Sequence, residues 1–182
     1  MFTNSMCLRL TYSKYPNACV VWIDAHADIN TVATTDSGNL HGMPVSLLLG
    51  LPGNESIENT NFSWLALPGT DATSGEKTRR AVLTPAQLVY LGLRDVDAGE
   101  KAILRQNGIK AFSMHEVDKF GIGKVVEMAL DHVNPNRDLP IHLSFDVDAL
   151  DPSVAPSTGT PVRYLSPSIS SSLLMGIFTA ML

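Results

Sequence analysis

The stretch VVWIDAHADIN, Val20–Asn30, opens as an uninterrupted apolar run and closes on three ionisable side chains at alternate positions, Asp24, His26 and Asp28. The apolar part, extended back to Ala18, is rich in β-branched residues and lacks the polar–apolar alternation of a half-solvated sheet. It reads as a strand from Ala18 to Ile23 buried on both faces. Two more runs share this character. AQLVYLGL, Ala86–Leu93, follows a proline, and IHLSF, Ile141–Phe145, follows Pro140 and leads directly into Asp146.

Helical patterns lie between the strands. From Ile122 to Val133 the residues Ile122, Val125, Val126, Ala129, Leu130 and Val133 share one helical face, with Lys124, Glu127, Asp131 and His132 opposite. A second helix is expected over Asp97–Gln106, stopped by Asn107-Gly108. Strands alternating with helices predict an α/β fold, a three-layer parallel sheet with helices on both faces. Pro52–Lys77, rich in Asn, Ser, Thr, Gly and Pro, reads as a long loop. Met1–Tyr15 carries no sustained period, and Tyr164–Ser172 is a serine-rich lead into an uncharged tail.

With 182 residues and 45% hydrophobic content, one domain with a sizeable core is expected. A formal charge of −5 and scattered Lys and Arg provide no basic field, which argues against nucleic acid as a partner. The apolar tail Leu173–Leu182 is far shorter than the roughly 20 residues a membrane span requires, so no membrane association is expected. Two cysteines, Cys7 and Cys19, indicate no disulfide framework and fit a reducing compartment. The cytoplasm is the expected location. A mitochondrial address is the alternative, because Arg9 and Lys14 precede the first acidic residue, Asp24.

In a parallel α/β sheet, ligands bind beyond the carboxyl ends of the strands. The first strand delivers Asp24, His26 and Asp28 there, at a spacing that places them on one side of an extended chain. The third delivers Asp146 and Asp148 in SFDVDALDP. Ionised carboxylates crowd together in a partly buried cleft only when something offsets their repulsion. Divalent cations do so, and oxygen ligands with one imidazole and no thiolate suit Mn²⁺ better than structural zinc. Two such ions about 3.5–4 Å apart would activate a shared water. Taken singly, each motif is as well explained by surface carboxylates, a helix cap or a strand-ending turn. Their joint placement after buried strands favours metal.

DAHADIN, TTDSGNLHG (Thr34–Gly42), GLRDVDAGE (Gly92–Glu100) and SFDVDALDPSVAPSTGTPV (Ser144–Val162) together resemble the manganese-dependent arginases of the ureohydrolase superfamily. The resemblance covers residues 17–162 as a catalytic domain of the arginase/deacetylase-like fold, incomplete, with residues 1–16 and 163–182 as ends that do not match. It implies two Mn²⁺ ions. Asp24 and Asp146 would bridge them, His26 and Asp148 would complete the second site, and Asp28 would belong to the first. It further implies that Asn30, Ser37 and Asn39, with Thr35 nearby, hold the α-carboxylate of L-arginine as neutral donors. Asp97, with Glu100 beside it, would meet the α-ammonium. His41 would be the proton shuttle, Asp28 a second catalytic residue, and His26 and Thr160 would line the substrate pocket. Without the resemblance, His41 reads as a residue ahead of a helix start at Gly42-Met43-Pro44, and Thr160 as a hydroxyl satisfying a turn.

The implied reaction is hydrolysis of L-arginine to L-ornithine and urea, in arginine catabolism and the urea cycle. Arginases also carry a GGDHS segment whose histidine ligates the first metal, and a late acidic residue for the guanidinium; neither is found in this sequence. The family is commonly trimeric through C-terminal segments that have no match here. The expectation is a truncated product with little activity alone, whose metal binding is led by the second site. Two alternatives are an agmatinase-like enzyme, disfavoured by residues suited to an α-carboxylate, and a non-catalytic polypeptide that associates with full-length arginase.

Overall fold

The computed structural model describes residues 2–59, 68–70, 77–79 and 81–163. The run after Ala18 forms strand β1, Cys19–Ile23, and every residue of it is buried. Alternation sends Cys19, Val21 and Ile23 to one face of the sheet and Val20 and Trp22 to the other, so each face must be covered by something apolar.

The covering is supplied by helices, and the sheet is parallel. Strands β4 (Leu88–Leu93), β5 (Lys110–Ser113) and β6 (Ile141–Phe145) join β1 in the order β5-β4-β1-β6. Against one face pack helices α4, Met114–Phe120, and α5, Ile122–Val133. Against the other pack Leu8 and Tyr12 of α1 (Phe2–Lys14), Val45 and Leu48 of α2 (Pro44–Leu48), and Ile103 and Leu104 of α3 (Ala98–Gln106). This is the three-layer α/β arrangement expected from the sequence.

The buried face of α5 consists of Ile122, Val125, Val126, Ala129, Leu130 and Val133, the set its 3.6-residue period selects. Helix α3 stops at Asn107-Gly108 as read, with Gly108 in the left-handed region at φ 63° and the Ile109 amide returning to Leu104 O at 3.0 Å. Three elements carried no such pattern. Helix α1 forms over residues without a sustained period, burying Leu8 and Tyr12 one turn apart while Leu10 is exposed. Strand β5 is a four-residue edge whose one buried side chain is Phe112, and α4 follows it at once, headed by a Ser113/Glu116 capping box.

The expected loop Pro52–Lys77 contains a 3₁₀ turn, Glu55–Asn59, and its far side belongs to an antiparallel pair, β2 (Pro68–Thr70) with β3 (Lys77–Arg79). Residues 60–67 and 71–76 lie outside the described residues, as do the serine-rich stretch and tail from Tyr164 to Leu182. Among the described residues no helix is long and apolar enough to cross a membrane. Cys7 is exposed and Cys19 buried, both as free thiols.

Candidate metal centre

The pairing of β1 with β6 brings two carboxylate-bearing strand ends side by side. Ile23 is in register with Phe145, and that ladder runs one residue further as Asp146 N donates to Ile23 O at 2.9 Å, while on the other side of β1 Asp24 N donates to Leu91 O of β4 at 3.1 Å. Asp24 and Asp148 are both fully buried. Among the described residues, Asp24, His26 and Asp148 form a group whose candidate ligand atoms all lie within 4.8 Å of one another.

Each member is held from a different direction. Trp22 Nε1 donates to Asp24 Oδ2 at 3.1 Å, and the His26 amide donates to Oδ1 at 2.8 Å. Thr160 Oγ1 donates to Asp148 Oδ2 at 2.7 Å, and the Ala25 amide lies 3.4 Å from Asp148 Oδ1. His26 Nδ1 sits 3.1 Å from Asp148 Oδ2 and 3.5 Å from Asp24 Oδ1, without the alignment of a hydrogen bond to either. Its Nε2 faces Asp95 Oδ2 at 3.6 Å.

Asp28 arrives by another route than the alternation of an extended strand. The chain turns after Ile23, and Asp28 adopts φ 51°, a left-handed conformation uncommon outside glycine. Its side chain is buried, and Oδ2 has no hydrogen-bond partner. Asp146 follows β6 directly. It stands outside the compact group, and its carboxylate caps the 3₁₀ turn Val147–Ala149 by accepting from the Asp148 amide at 3.2 Å.

Without a cation the group is electrostatically awkward. Burial raises Asp24 to about 6, and burial and the nearby Asp24 raise Asp28 to about 9. The carboxylates of Asp148 and Asp24 raise His26 to about 10. Asp148 alone is lowered, since the contacts from His26 and Thr160 outweigh its burial. A carboxyl that holds its proton at neutral pH, Asp28, an imidazole that retains its second proton and an orphaned buried oxygen fit a donor set suited to a hard divalent cation.

Beside the group opens a cavity of about 200 Å³, lined by His26, Asp28, Asn30, His41, Gly42, Asp95, Asp97, Glu100 and Thr160. His41 stands exposed at its edge on the 3₁₀ turn Leu40–Gly42, just before α2 begins at Pro44. Asn30 Nδ2 donates to Asp97 Oδ2 at 2.6 Å, and Asn30 Oδ1 accepts from Thr34 Oγ1 at 2.9 Å. Asp97 and Glu100 also form the capping box of α3. Asp97 Oδ1 accepts from the Glu100 amide at 2.8 Å, and Glu100 Oε2 accepts from the Asp97 amide at 3.2 Å. Thr35, Ser37 and Asn39 do not line this cavity. They form an exposed turn of their own, in which Gly38 N donates to Thr35 Oγ1 and Asn39 N to Ser37 Oγ, both at 3.2 Å.

Two residues of GLRDVDAGE that received no role from the sequence stand at the site. Asp95 lines the cavity and faces His26. Arg94 extends half-buried beneath the loop that follows Asp148. Their presence in a segment already singled out was the available signal.

The family model described as "Arginase family" matches residues 3–165. Curated relatives include the arginase of Glaciozyma antarctica, 63% identical over 153 residues, a match covering 84% of this chain and 40% of that protein. The arginase of Saccharomyces cerevisiae is 52% identical over 152 residues, covering 82% of this chain and 41% of that one. Among solved structures, the cold-adapted arginase of G. antarctica superposes with a TM-score of 0.63 at 59% identity, covering 79% of this chain and 46% of that one. The Entamoeba histolytica arginase in complex with L-ornithine superposes with a TM-score of 0.71 at 30% identity, covering 97% and 53%. The chain thus spans about 40% of the length of these curated relatives. Fold, strand-end cluster and sequence agree, and the chain belongs to the arginase family.

Proposed function

We propose that this polypeptide acts in the hydrolysis of L-arginine to L-ornithine and urea with Mn²⁺ as its metal. The observation that carries the reading is the Asp24–His26–Asp148 group opening onto a cavity that also presents Asp28, Asn30, His41 and Asp97. The E. histolytica relative was crystallised with L-ornithine, the product this reading requires. Asp24, His26 and Asp148 would hold one ion, and Asp28 and Asp146 would contribute to a second alongside Asp24. Bound there, divalent cations supply Lewis acidity and lower the pKa of coordinated water.

The remaining roles are those the family resemblance implies, and charge and hydrogen-bonding capacity support them. Asn30 keeps an amide hydrogen beyond the one given to Asp97 and can donate it to an α-carboxylate; Ser37 and Asn39, with Thr35, would add neutral donors from the adjoining turn. Asp97, supported by Glu100, presents negative charge to an α-ammonium. His26 and Thr160 border the space for the guanidinium. His41 stands where an imidazole could hand a proton to the departing amine nitrogen, and Asp28 where a carboxylate could accept one from the attacking water. The cytoplasm is the proposed location, and a homo-oligomer the proposed assembly.

The test is urea and ornithine release by the purified 182-residue chain with Mn²⁺, from L-arginine and from agmatine in parallel. The expected result is a low rate with L-arginine, equimolar products and none from agmatine. Turnover of agmatine in preference to L-arginine would overturn the substrate assignment.

A further inference from the structure

Arg94 is not in the metal group and does not line the cavity, yet it touches both segments that build them. Its backbone amide donates to Ala25 O at 2.9 Å, between Asp24 and His26. Its guanidinium reaches the other segment. Nη2 donates to Asp148 O at 2.6 Å, Val162 O at 3.0 Å and Leu150 O at 3.3 Å; Nη1 donates to Ala149 O at 3.1 Å and Gly92 O at 3.4 Å. The accepting carbonyls from the loop lie at its two ends, 148–150 and 162. One side chain therefore closes that loop into a ring, and within the ring Thr160 meets Asp148 Oδ2.

Beyond the 3₁₀ turn that ends at Ala149 this loop has no helix or strand of its own, and holding it in one shape costs the backbone entropy of every ordered residue. Guanidinium is the side chain suited to gathering several carbonyls at once, because its donors radiate in a fixed plane and its charge strengthens each bond. Lysine offers three donors on one nitrogen and cannot replace the five carbonyl contacts that Nη1 and Nη2 make together.

We propose that Arg94 is a positioning residue: by clasping both ends of the 148–162 loop to the strand end beside Ala25, it sets Asp148 and Thr160 in register with His26. The consequence for metal rests on the functional reading above; the consequence for the loop does not.

The test uses the full chain carrying Arg94→Lys or Arg94→Met, with Leu8→Ala in α1 as a destabilised reference on the face of the sheet away from Ala149 and Leu150. Two measurements are made: amide hydrogen exchange in chelator, and Mn²⁺ affinity by the spin-resonance signal of the free ion. In both Arg94 variants, exchange across residues 149–162 is expected to speed at least several-fold while that of α5 is unchanged, and Mn²⁺ affinity to fall about tenfold or more, as when an outer-shell partner is lost. Leu8→Ala should leave Mn²⁺ affinity at the parent value. Parent-like exchange in the loop of either folded variant overturns the clasp, as does global unfolding of both, since Arg94 would then be serving the whole fold. Faster loop exchange with unchanged Mn²⁺ affinity overturns the link to Asp148. Should the parent chain bind no Mn²⁺, the metal reading fails by itself and loop exchange still decides the role of Arg94.

Discussion

Asn30 and Asp97 are joined by a 2.6 Å hydrogen bond across 67 residues of chain, and the same carboxylate caps helix α3 through its other oxygen. Replacing Asp97 by Ala removes both bonds. The expected cost is about 1 kcal/mol for the cap and about 1 kcal/mol for the amide donor left without its partner. Asp97→Ser retains a capping oxygen but does not reach Asn30, so it should recover about half of that loss. Urea unfolding of the three proteins measures this. Identical losses from Ala and Ser would remove the cap from the account.

Mn²⁺ should stabilise the chain, and His26→Ala should abolish more of that stabilisation than Asp28→Ala, because His26 belongs to the compact group and Asp28 stands outside it. A ligand at about 100 times its dissociation constant adds about 2.7 kcal/mol, and each kcal/mol moves the thermal midpoint of a domain this size by roughly 2–4 °C. The increment should also grow with pH. Asp24 and Asp28, raised to about 6 and about 9, and His26, raised to about 10, hold more protons in the folded metal-free state than in the unfolded one. The metal-free chain therefore loses stability as pH climbs from near 4 towards 10, and Mn²⁺ offsets that loss by displacing the protons. Equal effects of the two substitutions would sink the ranking of the sites.

His142 supplies a slope of opposite sign. It is partly buried in β6 with Nδ1 2.9 Å from Thr11 Oγ1 of α1, and burial lowers its pKa below the usual 6.5. The unfolded chain then binds the proton more readily, so this contribution is complete above about pH 6.5 and is lost as pH falls towards the folded-state value. Subtracting the unfolding profile of His142→Phe from that of the parent isolates the effect, which cannot exceed about 1.4 kcal/mol per pH unit. A flat difference between pH 5 and 7 would refute it.

Gly92 interrupts the β4–β5 pairing, where the register passes from Leu91 opposite Phe112 to Leu93 opposite Ser113. Its φ of 89° lies in the region that disfavours side chains, and an added Cβ would sit 3.3 Å from Asp24 O. Gly92→Ala is expected to destabilise the chain by about 1–3 kcal/mol. Calorimetry on the two proteins decides, and an unchanged midpoint would show that the bulge relaxes at little cost.

The parts of this molecule that could be read in advance are those whose physics is local. A fully buried strand must be apolar throughout, and β1 is; an amphipathic helix must repeat every 3.6 residues, and α5 does. Helix α1 hid because Leu8 and Tyr12 alone mark its inner face among the described side chains, and β5 because an edge strand needs little apolar surface. At the site, the grouping of Asp24, His26 and Asp148 followed from strand ends in a parallel sheet. The backbone at Asp28 and Asp146 was not legible, because a left-handed turn in one case and a self-capping 3₁₀ turn in the other carry no periodic signal. Arg94 was opaque because carbonyl oxygens, its partners, leave no mark in a sequence.

The adjacency of β1 and β6 also orders events in time. Ala25 and Asp148 meet although 123 positions separate them. At about 5–20 residues per second, a ribosome needs roughly 6–25 s to bring the second after the first. Through that interval the nascent chain holds Asp24, His26 and Asp28 without β6, the strand that brings Asp148 to them. Metal-binding competence is thus a late birth, and binding of the ion would report that β6 has docked on β1 rather than help to recruit it.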